Sequence, residues 1–293
     1  MKKILYATDF STNAEKAFPF ALKIAEKHNA ELIMLHVFDM PPIMGHPYLM
    51  GPAEMKVQAI TSWKHYLKEF FKPFNSAIQP TFIALENISV LKGILSAIKE
   101  HKPDLVVTGT KGKSLLKEIF IGSTTKALVA QSPTPVLAIP ENADFRDINN
   151  VLYASDFREV DLKALKQLVE LVKPFRAEIK VLHISSENEY NSKEKMEWFK
   201  DYVKGSISYE HIVFEQWQSD PLFEGLNTYT KHFDFDMMVM LKKERHGIVE
   251  KLLHEDLVQK MEFQTTIPLL SFNEQYLRAS GQKDIKRGDT IEQ

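Results

Sequence analysis

The chain has 293 residues, enough for two domains with a sizeable core each. Its 44% hydrophobic and 26% charged residues are globular proportions, and a formal net charge of −2 gives no support for a role on nucleic acid or a membrane surface. With no cysteine there is no disulfide and no thiolate metal site, a composition at home in a reducing cytoplasm, and the opening apolar run stops at Thr8-Asp9, too short for a signal peptide or a membrane span.

The first half of the chain alternates strand and helix patterns. A strand over Lys3–Thr8 leads to a helix near Asn13–His28, capped by Ser11 or Thr12. A strand over Glu31–Phe38 follows, then a loop rich in Pro, Gly and Met over Asp39–Pro52. A long amphipathic helix covers about Ala53–Lys72. Strand Gln79–Leu85, helix Ser89–His101, strand Asp104–Gly109, helix Ser123–Gln131 and strand Pro135–Ile139 complete this half. Near-continuous apolar strands joined by helices predict a parallel sheet covered on both faces and doubly wound.

The same pattern is then written again. Leu5-Tyr6-Ala7-Thr8-Asp9-Phe10 returns as Leu152-Tyr153-Ala154-Ser155-Asp156-Phe157, and Leu35-His36-Val37 as Leu182-His183-Ile184. Both echoes sit 147 residues on (5 to 152, 35 to 182). Pro103-Asp104-Leu105 is echoed by Phe235-Asp236-Met237 at the shorter spacing of 132. Two copies of this size predict tandem domains, with the boundary in the polar stretch Glu141–Asp147. The expected division is 1–142, 147–273 and a polar tail over 274–293. The second copy reads as strands Asn150–Ala154, Glu178–Ile184, Tyr209–Trp217, Asp236–Leu241 and Ile267–Phe272. Its helices read as Val160–Lys173, Lys193–Lys204, Pro221–His232 and Glu255–Gln264.

The most informative stretch is Asp104–Pro140. Its strand ends at Gly109, Gly112 follows, and Gly122-Ser123-Thr124 opens a helix. Glycines at a strand end let backbone N–H groups approach a ligand closely. A helix beginning Gly-Ser-Thr offers free N–H groups, two hydroxyls and the positive end of a dipole, which together suit phosphate. Ser123 and Thr124 would donate to it beside the amides of Gly112, Lys113 and Gly122. Lys111 and Lys113 would screen its charge, or are simply solvated. The glycines are spaced too widely for the Rossmann fingerprint, and no Gly-Lys-Ser/Thr closes a P-loop.

The spacing Gly109-x2-Gly112-x9-Gly122-Ser123 resembles that of the ATP-binding members of the universal stress protein family. The resemblance extends to the opening KKILYATDFS, to Leu35-His36-Val37 and to Thr134-Pro135-Val136-Leu137. It implies two flavodoxin-like, Rossmann-like α/β domains with five strands each, in the order 3-2-1-4-5. It implies that Ala7, Thr8 and Asp9 line a nucleotide site, with Asp9 near ribose or the metal-bound phosphates, and that Val37 meets adenine through its backbone. The implied cofactor is ATP in the first domain, with Mg²⁺ left open. Family proteins pair through their last strands, so Thr134–Ile139 and Thr266–Ser271 are expected to join the copies as an internal pseudo-dimer. Homodimerisation of the chain is left open.

Other residues read more plainly. His36 and His183 stand at equivalent strand ends and read as structural rather than metal-binding, since no second ligand lies at metal spacing. Met40, Met44, His46 and Met50 read as a flap packing over the crevice rather than a copper site. In the second copy Gly109 becomes Leu241, Gly112 becomes Glu244, Gly122 becomes His254, and Ser123-Thr124 become Glu255-Asp256. Carboxylates replace the phosphate donors there, and Gly247 does not restore the loop, so this copy is expected not to bind ATP in the same way.

The leading functional expectation is a cytoplasmic, ATP-binding stress-response or signalling module that acts on an unidentified protein partner. Slow ATP hydrolysis or phosphoryl transfer is one alternative. A scaffold with no nucleotide requirement is the other.

Overall fold

The computed structural model describes residues 1–40, 51–110, 122–186, 189–242 and 267–278. The first half contains β1 (Lys3–Ala7), α1 (Thr12–His28), β2 (Glu31–Phe38), α2 (Pro52–Phe71) and β3 (Thr81–Glu86). It continues with α3 (Val90–His101), β4 (Leu105–Gly109), α4 (Ser123–Gln131) and β5 (Val136–Ile139). The second half contains β6 (Asn150–Ala154), α5 (Glu159–Val172), β7 (Glu178–Ser185), α6 (Ser192–Lys204) and β8 (Ile212–Gln218). It ends with α7 (Leu222–His232), β9 (Met237–Lys242) and β10 (Leu269–Asn273).

All ten strands form one sheet in the order β3-β2-β1-β4-β5-β10-β9-β6-β7-β8. Each half is parallel throughout and has the order 3-2-1-4-5. The two halves meet where β5 and β10 pair antiparallel, with Val136 opposite Ser271, Leu137 opposite Leu270 and Ala138 opposite Leu269. Each half is therefore a parallel α/β unit, as the alternating pattern predicts, with the flavodoxin-like strand order that the family resemblance implied. Among the described residues, no helix is long and apolar enough to cross a membrane.

Local chemistry explains the element ends. Ser11 caps α1, its hydroxyl oxygen accepting from the Ala14 amide at 3.2 Å, and the helix closes on Asn29 in the left-handed region. Ser89 caps α3 through the Lys92 amide at 3.3 Å. Helices cover the sheet on two faces. One buried cluster joins Ile4, Tyr6, Phe18 and Met34 with Tyr153, Leu165 and Val181, and the other joins Leu5, Leu35 and Ile98 with Leu152 and Tyr229. The cores of the two halves are thus continuous across the seam.

Most element ends fall within one or two residues of the sequence reading, and β8 and the segment after β10 differ more. Strand β8 begins at Ile212, not Tyr209: the ladder starts at Ile179–Ile212, and Tyr209 before it donates its hydroxyl to the Ala177 carbonyl at 2.6 Å. Residues 274–278, read as the start of a polar tail, form a helical turn docked on α5. Glu274 pairs with Arg158 at 3.1 Å, and Leu277 is buried. The helix expected over 255–264 and the tail beyond 278 lie outside the described residues.

The repeated aspartates have a shared task. The Asp104 carboxylate accepts from the amides of Lys2 and Lys3. Asp236 accepts from Asn149 and Asn150, both at 2.8 Å. Each fastens the amino end of its half's first strand to its neighbour. Asp104 is exposed, whereas Asp236 is buried and also faces the Arg146 guanidinium at 3.4 Å. A second pair diverges: the Tyr6 hydroxyl donates to the Ala14 carbonyl, whereas Tyr153 donates to the Asp161 carboxylate at 2.7 Å. Burial pushes the Asp161 carboxyl up, while bonds from Tyr153 and the Arg158 amide offset part of the rise.

Two outcomes follow from these groups. Asp236→Ala should lower the unfolding free energy by about 2–3 kcal/mol, since it orphans two amides under cover, and Asp104→Ala by less than about 1 kcal/mol; urea midpoints of the two variants check the order. The folded protein holds the Asp161 proton to higher pH than the unfolded chain, so this group's stabilisation is full below about pH 4 and declines as pH rises toward its folded pKa. Asp161→Asn should therefore gain stability relative to wild type between pH 4 and pH 7. Parallel stability–pH curves for the two proteins would contradict that assignment.

Candidate functional site

In a parallel sheet of this order, the chain leaves β1 toward β2 on one side, and β4 lies on the other. A crevice opens where the two directions part, beyond the carboxyl ends of the strands. Strand β1 stops at Ala7, which pairs with Leu35 on one side and Thr108 on the other. Strands β2 and β4 run past it, to Phe38 and Gly109.

Thr8 and Asp9 floor this crevice. The Thr8 amide donates to the Leu35 carbonyl at 2.9 Å, and its hydroxyl oxygen accepts from the Phe10 amide at 3.0 Å. Phe10 takes a φ of 57°, so the chain turns sharply out of the sheet. Asp9 is half-buried, and its Oδ1 accepts from the Ser11 amide at 3.0 Å, leading into α1. His36 is buried beside this turn, with Nδ1 at 2.9 Å from the Thr8 carbonyl. Its ring packs against Trp63 at 4.3 Å and Phe10 at 4.8 Å between centroids. Among the described residues no group of three or more His, Asp or Glu could hold a metal.

Val37 has its side chain in the core. A Cβ added to Gly93 would lie 2.5 Å from Val37 Cγ1, so Gly93 is there to let α3 approach this strand. Only the Val37 backbone can meet a ligand. Its direction follows from the ladder: the Leu35 carbonyl accepts from Thr8 on the β1 side, and the Phe38 carbonyl accepts from Asn87 on the β3 side. Alternation then directs the Val37 amide and carbonyl to the β1 side, beyond the end of β1.

At the far wall β4 ends in Gly109 and Thr110. A Cβ on Gly109 would meet Asn13 Nδ2 at 2.8 Å and Cγ at 3.0 Å, so the start of α1 lies against the strand end. Asn13 Nδ2 in turn donates to Thr110 Oγ1 at 3.4 Å. The Thr110 amide bonds the Ile139 carbonyl at 2.9 Å, and the Thr110 carbonyl accepts from the Gly122 amide. Thr125 Oγ1 donates to the Gly109 carbonyl at 3.0 Å. The segment between 110 and 122 thus leaves and returns at one tied point. Helix α4 begins there with Gly122 as its N-cap and no side-chain cap, unlike α1 and α3. Ser123 is exposed and Thr124 half-buried. The first-turn amides and two hydroxyls stand at the positive end of a dipole, with no side-chain cap among the described residues.

The structure brings together Ala7, Thr8, Asp9, Val37, Gly109, Gly122, Ser123 and Thr124 around the ends of β1, β2 and β4. Lys111, Gly112 and Lys113 lie outside the described residues, as do Met44, His46 and Met50. Two polar residues were not singled out from sequence: Asn13 and Thr110, both buried at the crevice. The available signal was the repeat, since Val160 and Lys242 stand in their places in the second half.

The second half keeps the frame and changes the site. His183 Nδ1 lies 2.9 Å from the Ser155 carbonyl, as His36 does from Thr8. Its Nε2 meets Glu189 at 2.9 Å, and Lys195 meets the same carboxylate at 2.7 Å. Partial burial alone would raise the Glu189 carboxyl, but Lys195 and His183 hold it below its ordinary range. Leu241, at the place of Gly109, is buried in the same apolar cluster as Val160. Glu244, Gly247, His254, Glu255 and Asp256 lie outside the described residues.

Residues 1–140 match the Universal stress protein family. A universal stress protein of Thermus aquaticus is 31% identical over 144 residues, which cover 47% of this chain and 98% of that relative. The crystal structure of a universal stress protein from Archaeoglobus fulgidus superposes with a TM-score of 0.68 at 17% identity, over 93% of this chain and 98% of its own. That likeness is one of fold, and it spans both halves. A universal stress protein solved in complex with cAMP aligns with 47% of this chain and 96% of its own, at 19% identity and a TM-score of 0.36. The chain belongs to the universal stress protein family.

Proposed function

We propose that the first half of this chain binds ATP in the crevice between β1 and β4, and that occupancy is the signal of a cytoplasmic stress-response module. One observation carries the reading: α4 starts without a side-chain cap at the tied end of β4, where Gly109 lets Asn13 lie against the strand. Such a helix start presents backbone N–H groups where a phosphate chain can be approached closely. Gly122, Ser123 and Thr124 take the phosphates, with Gly112 and the lysines at 111 and 113 beside them. Asp9 and Thr8 lie toward the ribose and any phosphate-bound Mg²⁺. The Val37 amide and carbonyl, directed past the end of β1, suit the donor–acceptor edge of adenine.

In this reading residues 1–142 form the nucleotide-binding domain and 147–273 a domain with a degenerate site, onto which the turn 274–278 folds. Leu241 supports the loss, because a buried leucine stands where Gly109 admits Asn13. The β5–β10 pairing makes the two domains a pseudo-dimer within one chain. A protein partner would read the nucleotide state, which requires that ATP bind two conformations of the chain unequally.

Calorimetric titration of the purified chain with ATP and Mg²⁺ tests the site, with cAMP as a second probe. One ATP per chain is the expected stoichiometry. Gly122→Glu sets a carboxylate against the phosphates and should weaken binding at least about 100-fold, roughly 3 kcal/mol, while leaving the circular dichroism unchanged. A folded wild type that binds no ATP would sink the reading and leave a scaffold. Two ATP per chain would overturn the degeneracy of the second half.

A further inference from the structure

Helix α4 has no acidic residue in its first turn and no basic one in its last, and its one charged side chain, Lys126, lies in the first turn. Its amino end lacks a side-chain cap, but its carbonyl end does not go unserved. Lys242 Nζ donates to the Ala130 carbonyl at 2.9 Å, and Asn273 Nδ2 donates to the same oxygen at 3.0 Å. The Tyr276 hydroxyl donates to the Gln131 carbonyl at 3.2 Å. All three donors come from the second half of the chain. Lys242 ends β9, Asn273 ends β10, and Tyr276 lies in the helical turn that follows.

We propose that Lys242, with Asn273 and Tyr276, is a positioning residue for the nucleotide site of the first half. The second half grips α4 from behind so that its open amino end is aimed at the phosphates. This rests on the ATP reading given above and adds the part played by the other half. A helix fixed at one end by three hydrogen bonds has less freedom to lose when a ligand arrives at the other. An ammonium at the carbonyl end also offsets the negative pole of the dipole. With nine residues in the helix, that charge sits ~13 Å from the amino end. Both effects act on phosphate. Neither reaches the adenine, whose partners in this reading are on β2.

The position of Lys242 strengthens the assignment. It corresponds to Thr110 in the first half, the residue that accepts from Asn13 and receives the Gly122 amide. The same strand-end position thus serves the crevice in one half and the back of the crevice helix in the other.

The test is calorimetry of Mg-ATP and of adenosine against wild type, Lys242→Met and Lys242→Arg. Lys242→Met should weaken Mg-ATP about five-fold and leave adenosine unchanged, and Lys242→Arg should restore Mg-ATP. Equal loss for both ligands would mean a general loosening of the fold and would overturn the positioning role. Unchanged Mg-ATP affinity would overturn it as well, with the ATP site left standing. A wild type that binds neither ligand would overturn the site and this inference together. If Lys242→Met does not fold by circular dichroism, Asn273→Ala combined with Tyr276→Phe removes the other two donors and is held to the same contrast.

Discussion

The antiparallel pairing of β5 with β10 governs how the two halves can communicate. Each half is parallel within itself, so all the carboxyl ends of its strands lie at one edge. Joining the halves antiparallel puts those edges at opposite ends of the ten-stranded sheet. Helix α4 starts at the carboxyl end of β4 and runs back toward the amino end of β5. Its tail must therefore arrive beside the carboxyl ends of β9 and β10. Lys242 and Asn273 are the last residues of those strands, and both reach it. The contact between the crevice helix of one half and the strand ends of the other is a consequence of topology, before any particular side chain is considered.

Against that shared geometry, the differences between the halves separate by task. The parts that hold strand ends are present twice: Asp104 and Asp236 on the backbone amides, His36 and His183 on a carbonyl, Phe10 and Phe157 at positive φ. The floor of the crevice, Ala7, Thr8 and Asp9, also returns as Ala154, Ser155 and Asp156, but its wall on the β4 side does not. Asn13, Gly109 and Thr110 give way to Val160, Leu241 and Lys242. Asn13 and Gly109 fit together, since a Cβ at 109 would lie 2.8 Å from Asn13 Nδ2 and push the amide aside. Val160 and Leu241 instead belong to the apolar core, where each contributes about 1.5–3 kcal/mol of burial and presents no polar atom to a ligand.

Much of this was legible in the sequence because periodicity is local. Strands β2 and β6 and helix α4 occupy the residues their patterns indicate, and the strand order follows the family resemblance. What escaped depended on distant partners. Tyr209 reads as a strand residue until its hydroxyl is seen to spend itself on Ala177. Residues 274–278 read as polar until Arg158 supplies a partner for Glu274. Asn13 reads as one more polar residue near a helix start, and nothing local announces that it fits over Gly109. A lysine ending a strand, like Lys242, reads as solvated, and its acceptor lies 112 residues away.

The division of labour bears on why the two copies share a chain. In a pair of identical domains joined by the same seam, whatever stands at the strand end must serve its own crevice and also the helix tail of its neighbour. Thr110 can do the first. Its hydroxyl stands one bond beyond Cβ and is met by Asn13, and its carbonyl is taken by Gly122. A lysine can do the second, because its ammonium lies at the end of a four-carbon stem, but at position 110 it would have no oxygen to offer Asn13. Fusion removes the conflict. One copy keeps threonine beside Asn13, while the other takes lysine and the support of α4, with Val160 and Leu241 packed in the apolar core in place of Asn13 and Gly109.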